Sequence, residues 1–148
     1  MKTEIEIFVH GTPKGQPRPR AFSRGGMTRV YDPGTAEGWK SAIAEEIREH
    51  LPEKPLEHPV WLSLVFVMPR PKSHYGSGKN AGKLKPDAPY YFTPKPDADN
   101  LAKAVMDALT QVGLWRDDSL VCKLTVVKRY ESVDGASGCF IQIGEITQ

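Results

Sequence analysis

Cysteine is scarce in this sequence, and it has no long apolar run. Only two cysteines, Cys122 and Cys139, occur in 148 residues, which excludes a disulfide-rich scaffold and a zinc ribbon. The longest nearly uncharged apolar run is Val60–Met68, whereas a membrane-spanning helix needs ~20 such residues. The first residues lead into an alternating strand pattern rather than a secretion signal. We therefore expect a cytoplasmic enzyme or binding domain without a membrane partner.

Acidic residues are nearly missing from two segments that are rich in basic residues. Residues 11–30 contain five basic residues and no acid, and residues 69–96 contain six basic residues against the single acid Asp87. Basic segments of this kind attract polyanions, although both could instead be ordinary solvated loops. The basic residues are Lys14, Arg18, Arg20, Arg24, Arg29, Arg70, Lys72, Lys79, Lys83, Lys85 and Lys95.

Alternation of apolar and polar residues predicts four strands. The first is half-buried, because Ile5, Ile7 and Val9 fall on one side, and the second is apolar on both faces, which is typical of a central strand. The last two are expected to form a hairpin through 132–137, where Asp134-Gly135 signals a turn. The predicted strands cover residues 4–10, 60–68, 120–130 and 138–146.

Two helices are predicted between these strands. The first covers 35–51, with Thr35 as N-cap and a buried stripe that recurs every four residues from Trp39. The second covers 100–112 and ends at Gly113. The chain length predicts one domain over residues 1–148. We expect a two-layer α/β (α+β) domain of order β-α-β-α-β-β, a mixed four-stranded sheet with helices mainly on one face, and loops over 11–27 and 69–96.

A group of polar side chains precedes and begins the second helix. Pro96 favours an extended approach, in which Asp97 and Asp99 point to the same side, while Asn100 and Lys103 are neighbours on the helix surface. Paired carboxylates repel unless a cation bridges them, and all-oxygen ligands select Mg²⁺ or Mn²⁺. The alternative is structural, with the aspartates as helix cap and dipole partner.

A second acidic element, Asp117-Asp118, lies just before the third predicted strand. Its structural alternative is a polar turn, just as Lys103 and Asp107 have the spacing of a surface ion pair. Together the two elements suggest three carboxylates around metal with a lysine nearby. Such a site suits phosphodiester hydrolysis, since metal activates water and offsets transition-state charge, and lysine stabilises a phosphate oxygen.

Both acidic segments resemble the core of the RusA family of Holliday junction resolvases, in particular members carried by phages. The likeness is strong over 94–130 and extends to the first strand and to residues 11–20, whereas the insertion over 69–95 is longer than in the shortest members. The matching motifs are Lys95-Pro-Asp-Ala-Asp-Asn-Leu-Ala-Lys103, Asp107-Ala-Leu109 and Gly113-Leu-Trp-Arg-Asp-Asp118.

This resemblance implies a homodimeric, Mg²⁺-dependent endodeoxyribonuclease that makes paired symmetric nicks in four-way DNA junctions during recombination and repair. Asp97, Asp99 and Asp118 match the family's metal-binding aspartates, and Lys103 matches its catalytic lysine. Asn100, Asp107 and Asp117 receive supporting roles. The basic residues of 11–30 and 69–96 are then expected to bind DNA phosphates.

The predicted helix places Asp118 far from Asp99. A helix of about 13 residues is ~20 Å long, and the loop 113–117 spans at most ~18 Å when extended. The loop must double back for all three aspartates to meet in one chain, so we slightly favour a site shared between two subunits.

Two further hypotheses remain open. The chain could be a non-catalytic DNA-binding module that uses the same basic segments, or a metal nuclease for other branched DNA. Separately, the aromatic residues beside the basic ones could stack on bases at a DNA crossover, or could simply pack the loop onto the domain. They are Tyr75, Tyr90, Tyr91 and Phe92.

Overall fold

The computed structural model describes residues 4–17, 20–24, 27–31 and 36–147, with only the backbone described over 20–24 and 27–31. Within these residues lie six strands and two α-helices. The strands are Glu4–His10 (β1), Arg20–Arg24 (β2), Met27–Tyr31 (β3), Val60–Met68 (β4), Val121–Tyr130 (β5) and Gly138–Glu145 (β6). The helices are Glu37–Ile47 (α1) and Ala98–Gln111 (α2), and a short 3-10 turn, Asp118–Leu120, precedes β5.

Four strands form one mixed sheet in the order β1-β6-β4-β5. β6 runs antiparallel to both β1 and β4, whereas β4 and β5 are parallel. The sheet confirms the predicted fold class and the central position of β4, which pairs along both edges. β2 and β3 form a separate antiparallel hairpin. A loop throughout 11–27 was therefore the wrong expectation, because strand formation depends on a pairing partner more than on Gly- and Pro-rich composition.

The predicted hairpin between the last two strands is wrong, because β4 lies between them. Met68 of β4 pairs with Tyr130 of β5, while Val67 pairs with Gly138 of β6. The local turn signal was sound, since Gly135 donates its backbone N–H to Ser132 O at 3.1 Å. A turn signal reports only local geometry, so it does not reveal that a third strand inserts between the two that it joins.

Both helices pack on one face of this sheet. The α1 stripe of Trp39, Ile43 and Ile47 is buried as predicted, and so is the apolar side of α2 around Leu101 and Val105. These side chains form one core cluster with the inward-facing residues of β1, β4 and β6. Neither helix has the length and apolar character of a membrane span, a statement that covers the described residues only.

Helix boundaries differ slightly from the prediction. α1 begins after Ala36 and continues as a 3-10 turn to His50, while the expected cap, Thr35, lies outside the described residues. α2 begins at Ala98, two residues earlier than predicted. Residues 69–96 contain no strand or α-helix of their own, consistent with the predicted loop, although 3-10 turns and isolated bridges give this segment local structure.

Candidate functional site

The first turn of α2 presents two exposed carboxylates. Asp97 is the N-cap, with an extended backbone (φ −69°, ψ 155°), and its side chain makes no capping hydrogen bond. Asp99 lies inside the first turn, where its Oδ1 accepts from the Asn100 backbone N–H at 2.9 Å. The prediction that both aspartates lie in an extended stretch is thus right for Asp97 and wrong for Asp99, because the helix begins one residue after Asp97.

One helical turn further along α2, Lys103 lies between two other carboxylates. Its Nζ donates to Asp118 Oδ2 at 3.2 Å and lies 3.1 Å from Asp107 Oδ1. The second oxygen of Asp107 lies 3.9 Å from Nζ of Lys40 on α1. Hydrogen bonds to Asp107 and then Asp118 raise the pKa of Lys103 above its ordinary value.

Asp118 reaches Lys103 because the chain reverses after α2. Gly113, with φ +87°, adopts the left-handed conformation that ends a helix and that favours glycine. The next residues, Leu114 and Trp115, are buried. The indole N–H of Trp115 donates to Thr110 Oγ1 at 2.7 Å, which holds the returning chain against α2.

A second set of backbone hydrogen bonds fixes the direction of this return. Leu56 donates its N–H to Leu114 O at 2.9 Å, and Arg116 donates to Leu56 O at 3.3 Å. The loop therefore does double back, and Asp118 meets a residue 15 positions before it within one chain. A second subunit is therefore not required to bring Asp118 beside α2. The lengths of the helix and loop, which had favoured a site shared between two subunits, do not keep Asp118 away from its own helix.

Asp117 and Asp118 are adjacent but have different surroundings. Asp117 is the N-cap of the 3-10 turn before β5, and its Oδ2 accepts from the Ser119 N–H at 3.4 Å. Hydrogen bonding to the side chain of Ser119, and then to its backbone N–H, lowers the pKa of the Asp117 carboxyl. The structural alternative, a polar turn, thus describes Asp117, while Asp118 faces Lys103.

The carboxylates of Asp97, Asp99 and Asp118 offer only oxygen atoms as ligands, which is the type of ligand that a hard divalent cation prefers. In the part of the chain that the structure describes, no three His, Cys, Asp or Glu side chains are arranged to hold an ion. The Asp118 carboxylate is instead engaged with Lys103 through Oδ2. Asp97 and Asp99 are exposed and Asp118 is half-buried, and these three carboxylates are not gathered around one point as the structure stands.

The predicted polyanion-binding residues fall into three groups. Arg18 lies outside the described residues, and only the backbone is described for Arg20, Arg24 and Arg29. Arg70 is engaged within the protein. The remaining residues are exposed: Lys14, Lys72, Lys79, Lys83, Lys85 and Lys95.

The contacts of Arg70 are structural. Its Nε donates to Glu131 O at 2.9 Å, and Nη1 donates to Pro89 O at 2.7 Å. Its guanidinium also lies 5.1 Å from the centre of the Tyr130 ring. Arg70 thus ties the long loop to the end of β5, a role that the sequence reading did not anticipate.

Lys128 is a basic residue that the sequence reading missed. Its Nζ donates to Pro94 O at 3.0 Å and to Pro96 O at 2.8 Å, so it holds the segment that leads into Asp97. The sequence alone carries no motif for this role, which becomes visible only in the sheet, where Lys128 pairs with the buried Phe66 and so occupies a position on the helix-covered face of β5. A lysine at such a position needs partners for its ammonium.

Residues 15–16 also contact the start of α2. The backbone N–H of Gln16 donates to Asn100 O at 2.9 Å. A Cβ on Gly15 would lie 3.1 Å from Pro96 Cβ and 3.3 Å from Asn100 Cβ, so glycine allows the close approach. The N-terminal segment that carries Lys14 is thereby packed beside the two exposed aspartates.

Comparison with known proteins identifies the family. The model of the endodeoxyribonuclease RusA family matches residues 10–143, a range that includes the whole site. The chain belongs to the RusA endodeoxyribonuclease family. It is 36% identical over 131 residues to the Bacillus subtilis protein YqaN, covering 85% of this chain and 87% of YqaN.

Two relatives are named crossover junction endodeoxyribonuclease RusA. The Aquifex aeolicus protein is 21% identical over 140 residues, or 95% of this chain and 90% of that protein. The Escherichia coli O139:H28 protein is 59% identical over 32 residues, which is 22% of this chain and 27% of that protein. The family is one of nucleases, and it is the family that the two acidic motifs resemble.

Proposed function

We propose that the chain is a divalent-metal-dependent endodeoxyribonuclease that resolves four-way DNA junctions. The observation that carries this proposal is the return of Asp118 onto Lys103, on the same helix whose first turn carries the exposed Asp97 and Asp99, in a chain of the RusA family. The names of the Aquifex and Escherichia relatives support the junction substrate.

Asp97, Asp99 and Asp118 would hold Mg²⁺ or Mn²⁺. Bound there, the cation would supply an activated water and neutralise charge on the phosphate. Asp97 is suited to this role because its exposed carboxylate makes no capping bond. Asp118 uses Oδ2 for Lys103, which leaves Oδ1 as a second oxygen for another partner.

Lys103 would stabilise the negative charge that develops on the phosphate. Two carboxylates pair with its ammonium and restrict its position. Asp107 is the orienting partner, because it is fixed on the same helix four residues away and also faces Lys40. If Asp118 turns toward a cation, Asp107 still holds Lys103 in place.

DNA binding would come from the exposed lysines of 69–96 and from Lys14, which contact phosphates without reading sequence. A two-fold homodimer would present two such sites for symmetric nicks in opposing strands. The Asp118–Lys103 contact within one chain favours a site formed by each subunit from its own residues.

A junction cleavage assay tests this function. The native chain should nick a synthetic four-way junction in Mg²⁺ and not in EDTA, and the Asp99→Asn variant should bind the junction without nicking it. Binding without nicking by the native chain, in Mg²⁺ and in Mn²⁺, would instead identify a non-catalytic module. Preference for flaps over four-way junctions in a competition assay would indicate a nuclease for other branched DNA.

A further inference from the structure

Two adjacent tyrosines stand exposed beside the long basic loop. Tyr90 is 56% exposed and Tyr91 is 63% exposed. Their rings touch edge to face, with centroids 4.8 Å apart and an interplanar angle of 88°. Large aromatic surfaces are favourably buried, so a rigidly held pair in solvent indicates a surface that a partner covers.

The backbone of this pair is fixed along the edge of β5. The Tyr130 N–H donates to Tyr90 O at 2.9 Å, and the Phe92 N–H donates to Lys128 O at 3.1 Å. Tyr91 forms an antiparallel bridge with Arg129. We call residues 89–92 the aromatic strap. Its rings are presented by a segment tied to the sheet rather than by a free loop tip.

Loop packing accounts for the other two aromatic residues of this segment but not for the tyrosine pair. Phe92 packs against the core cluster, and its ring lies 5.2 Å from the Tyr130 ring. Tyr75 is half-buried and bridges to Leu84 within the long loop. The hypothesis that these aromatics simply pack the loop thus applies to Phe92 and Tyr75.

Two cationic side chains lie against rings of the strap. The Arg129 guanidinium lies 6.0 Å from the centre of the Tyr90 ring, and the Lys128 ammonium lies 5.1 Å from the centre of the Phe92 ring. The neighbouring acid, Glu131, accepts a hydrogen bond from the Arg70 backbone at 3.1 Å. Planar rings among cations fit a partner with flat apolar faces and negative charge, which describes nucleobases on a phosphate backbone.

The strap also leads directly to the candidate site. Asp97 follows Tyr91 by six positions, so their Cα atoms are at most ~20 Å apart. Bases held at the strap would therefore lie within about six nucleotide steps of the scissile phosphate, at ~3.4 Å per step. A junction offers suitable bases, because stacking is interrupted where its arms meet.

We propose that Tyr90 and Tyr91 form a stacking surface for nucleobases exposed at the branch point of junction DNA. This inference rests on the proposed function and deepens it, because phosphate contacts alone do not distinguish branched from linear DNA. The rings would supply that distinction, while the lysines supply affinity for any duplex.

The test compares binding to a four-way junction and to a linear duplex of the same length, by fluorescence anisotropy in EDTA so that nothing is cut. Tyr91→Leu and Tyr90→Leu each remove one aromatic ring, whereas Tyr91→Phe keeps the ring and removes only the hydroxyl. Val133→Ala is a control, because Val133 is a 49% exposed apolar residue outside the strap. A 2-aminopurine at the branch point reports stacking directly.

Each leucine variant should bind the junction about fivefold or more weakly and the duplex within about twofold of the native chain. The 2-aminopurine fluorescence change on binding should persist with Tyr91→Phe and Val133→Ala and disappear with the leucine variants. Unchanged junction binding, or equal weakening for junction and duplex, would overturn the inference. A change of oligomeric state in light scattering on Tyr91→Leu would also overturn it, since the rings would then contact another copy.

These results separate the inference from the proposed function. If the native chain nicks junctions and the leucine variants bind them normally, the nuclease function stands and the stacking surface is refuted. If binding depends on the rings but the native chain never nicks, the stacking surface stands and the nuclease function is refuted.

Discussion

Replacing Asp118 and its neighbour Asp117 with asparagine, one at a time, tests whether Asp118 belongs to the metal site while Asp117 only caps a turn. Asp118 meets Lys103 at 3.2 Å, whereas Asp117 accepts a backbone hydrogen bond from Ser119. Asparagine serves as an N-cap as well as aspartate, so Asp117→Asn preserves the turn. Asp118→Asn removes a negative charge that the proposed metal site requires.

The structure sets the expected magnitudes. The side chain of Lys103 is 54% exposed and that of Asp118 is 27% exposed. Loss of such a pair should lower the free energy of unfolding by only ~0.2–1 kcal/mol. Removing even an outer-shell partner of a metal typically costs ~10–100-fold in activity, so loss of a direct ligand should reduce junction cleavage at least ~100-fold. Asp117→Asn should reduce cleavage by less than about threefold, within ~0.7 kcal/mol of barrier.

The assay measures single-turnover cleavage of a labelled four-way junction, with binding and thermal unfolding measured on the same samples. Junction binding by Asp118→Asn should be unchanged or tighter, because a negative charge facing DNA has been removed. Equal loss of cleavage by both variants would refute the distinction between the two aspartates. So would a large loss of stability by Asp118→Asn, which would mean that its effect on cleavage is structural.

Three other predictions concern Asp107, Arg70 and the subunit origin of the site. Asp107→Asn should slow cleavage about tenfold, with rescue by Asp107→Glu and little change in junction affinity; an effect on affinity alone would contradict its role in orienting Lys103. Arg70→Gln should lower the free energy of unfolding by about 1–3 kcal/mol through its lost hydrogen bonds. Lys85→Gln should weaken junction binding at low salt without lowering the melting temperature. The reverse pattern would argue against a structural role for Arg70 and a DNA-binding role for Lys85. Mixed dimers of Asp99→Asn and Asp118→Asn chains should remain inactive, because each subunit uses its own Asp118, and restored nicking would establish a shared site.

Local patterns in the sequence predicted most of the fold. The alternation over 4–10 and the apolar run over 60–68 correspond to β1 and β4 with the predicted boundaries. The apolar arc of α2 is buried as expected. Each of these features depends on periodicity within one segment, which is what a sequence pattern reports.

Features that depend on contacts between distant segments were not predicted. The separation of β5 from β6 requires β4 to insert between them, and a turn signal at 132–137 carries no information about that. The return of Asp118 to Lys103 requires Leu56 to hydrogen-bond with Leu114, two residues 58 positions apart in the sequence. Gly113 signalled the end of the helix but not the direction of the chain after it.

The candidate site was predicted in composition but not in geometry. Its motif named the aspartates and Lys103, whereas the roles of Lys128 and Gly15 emerge only from packing around the start of α2. Both residues support the segment that carries Asp97, from a strand and a loop far from it in sequence. Such supporting residues have no motif of their own because their function is defined by what they touch.

Anomalous diffraction from a crystal soaked in Mn²⁺ tests the central claim most directly, namely that Asp97, Asp99 and Asp118 hold a divalent cation. The account predicts a manganese peak about 2.0–2.3 Å from oxygens of these carboxylates, with Lys103 still beside Asp107. A peak elsewhere, or none at these oxygens while Asp118 remains paired with Lys103, would contradict it.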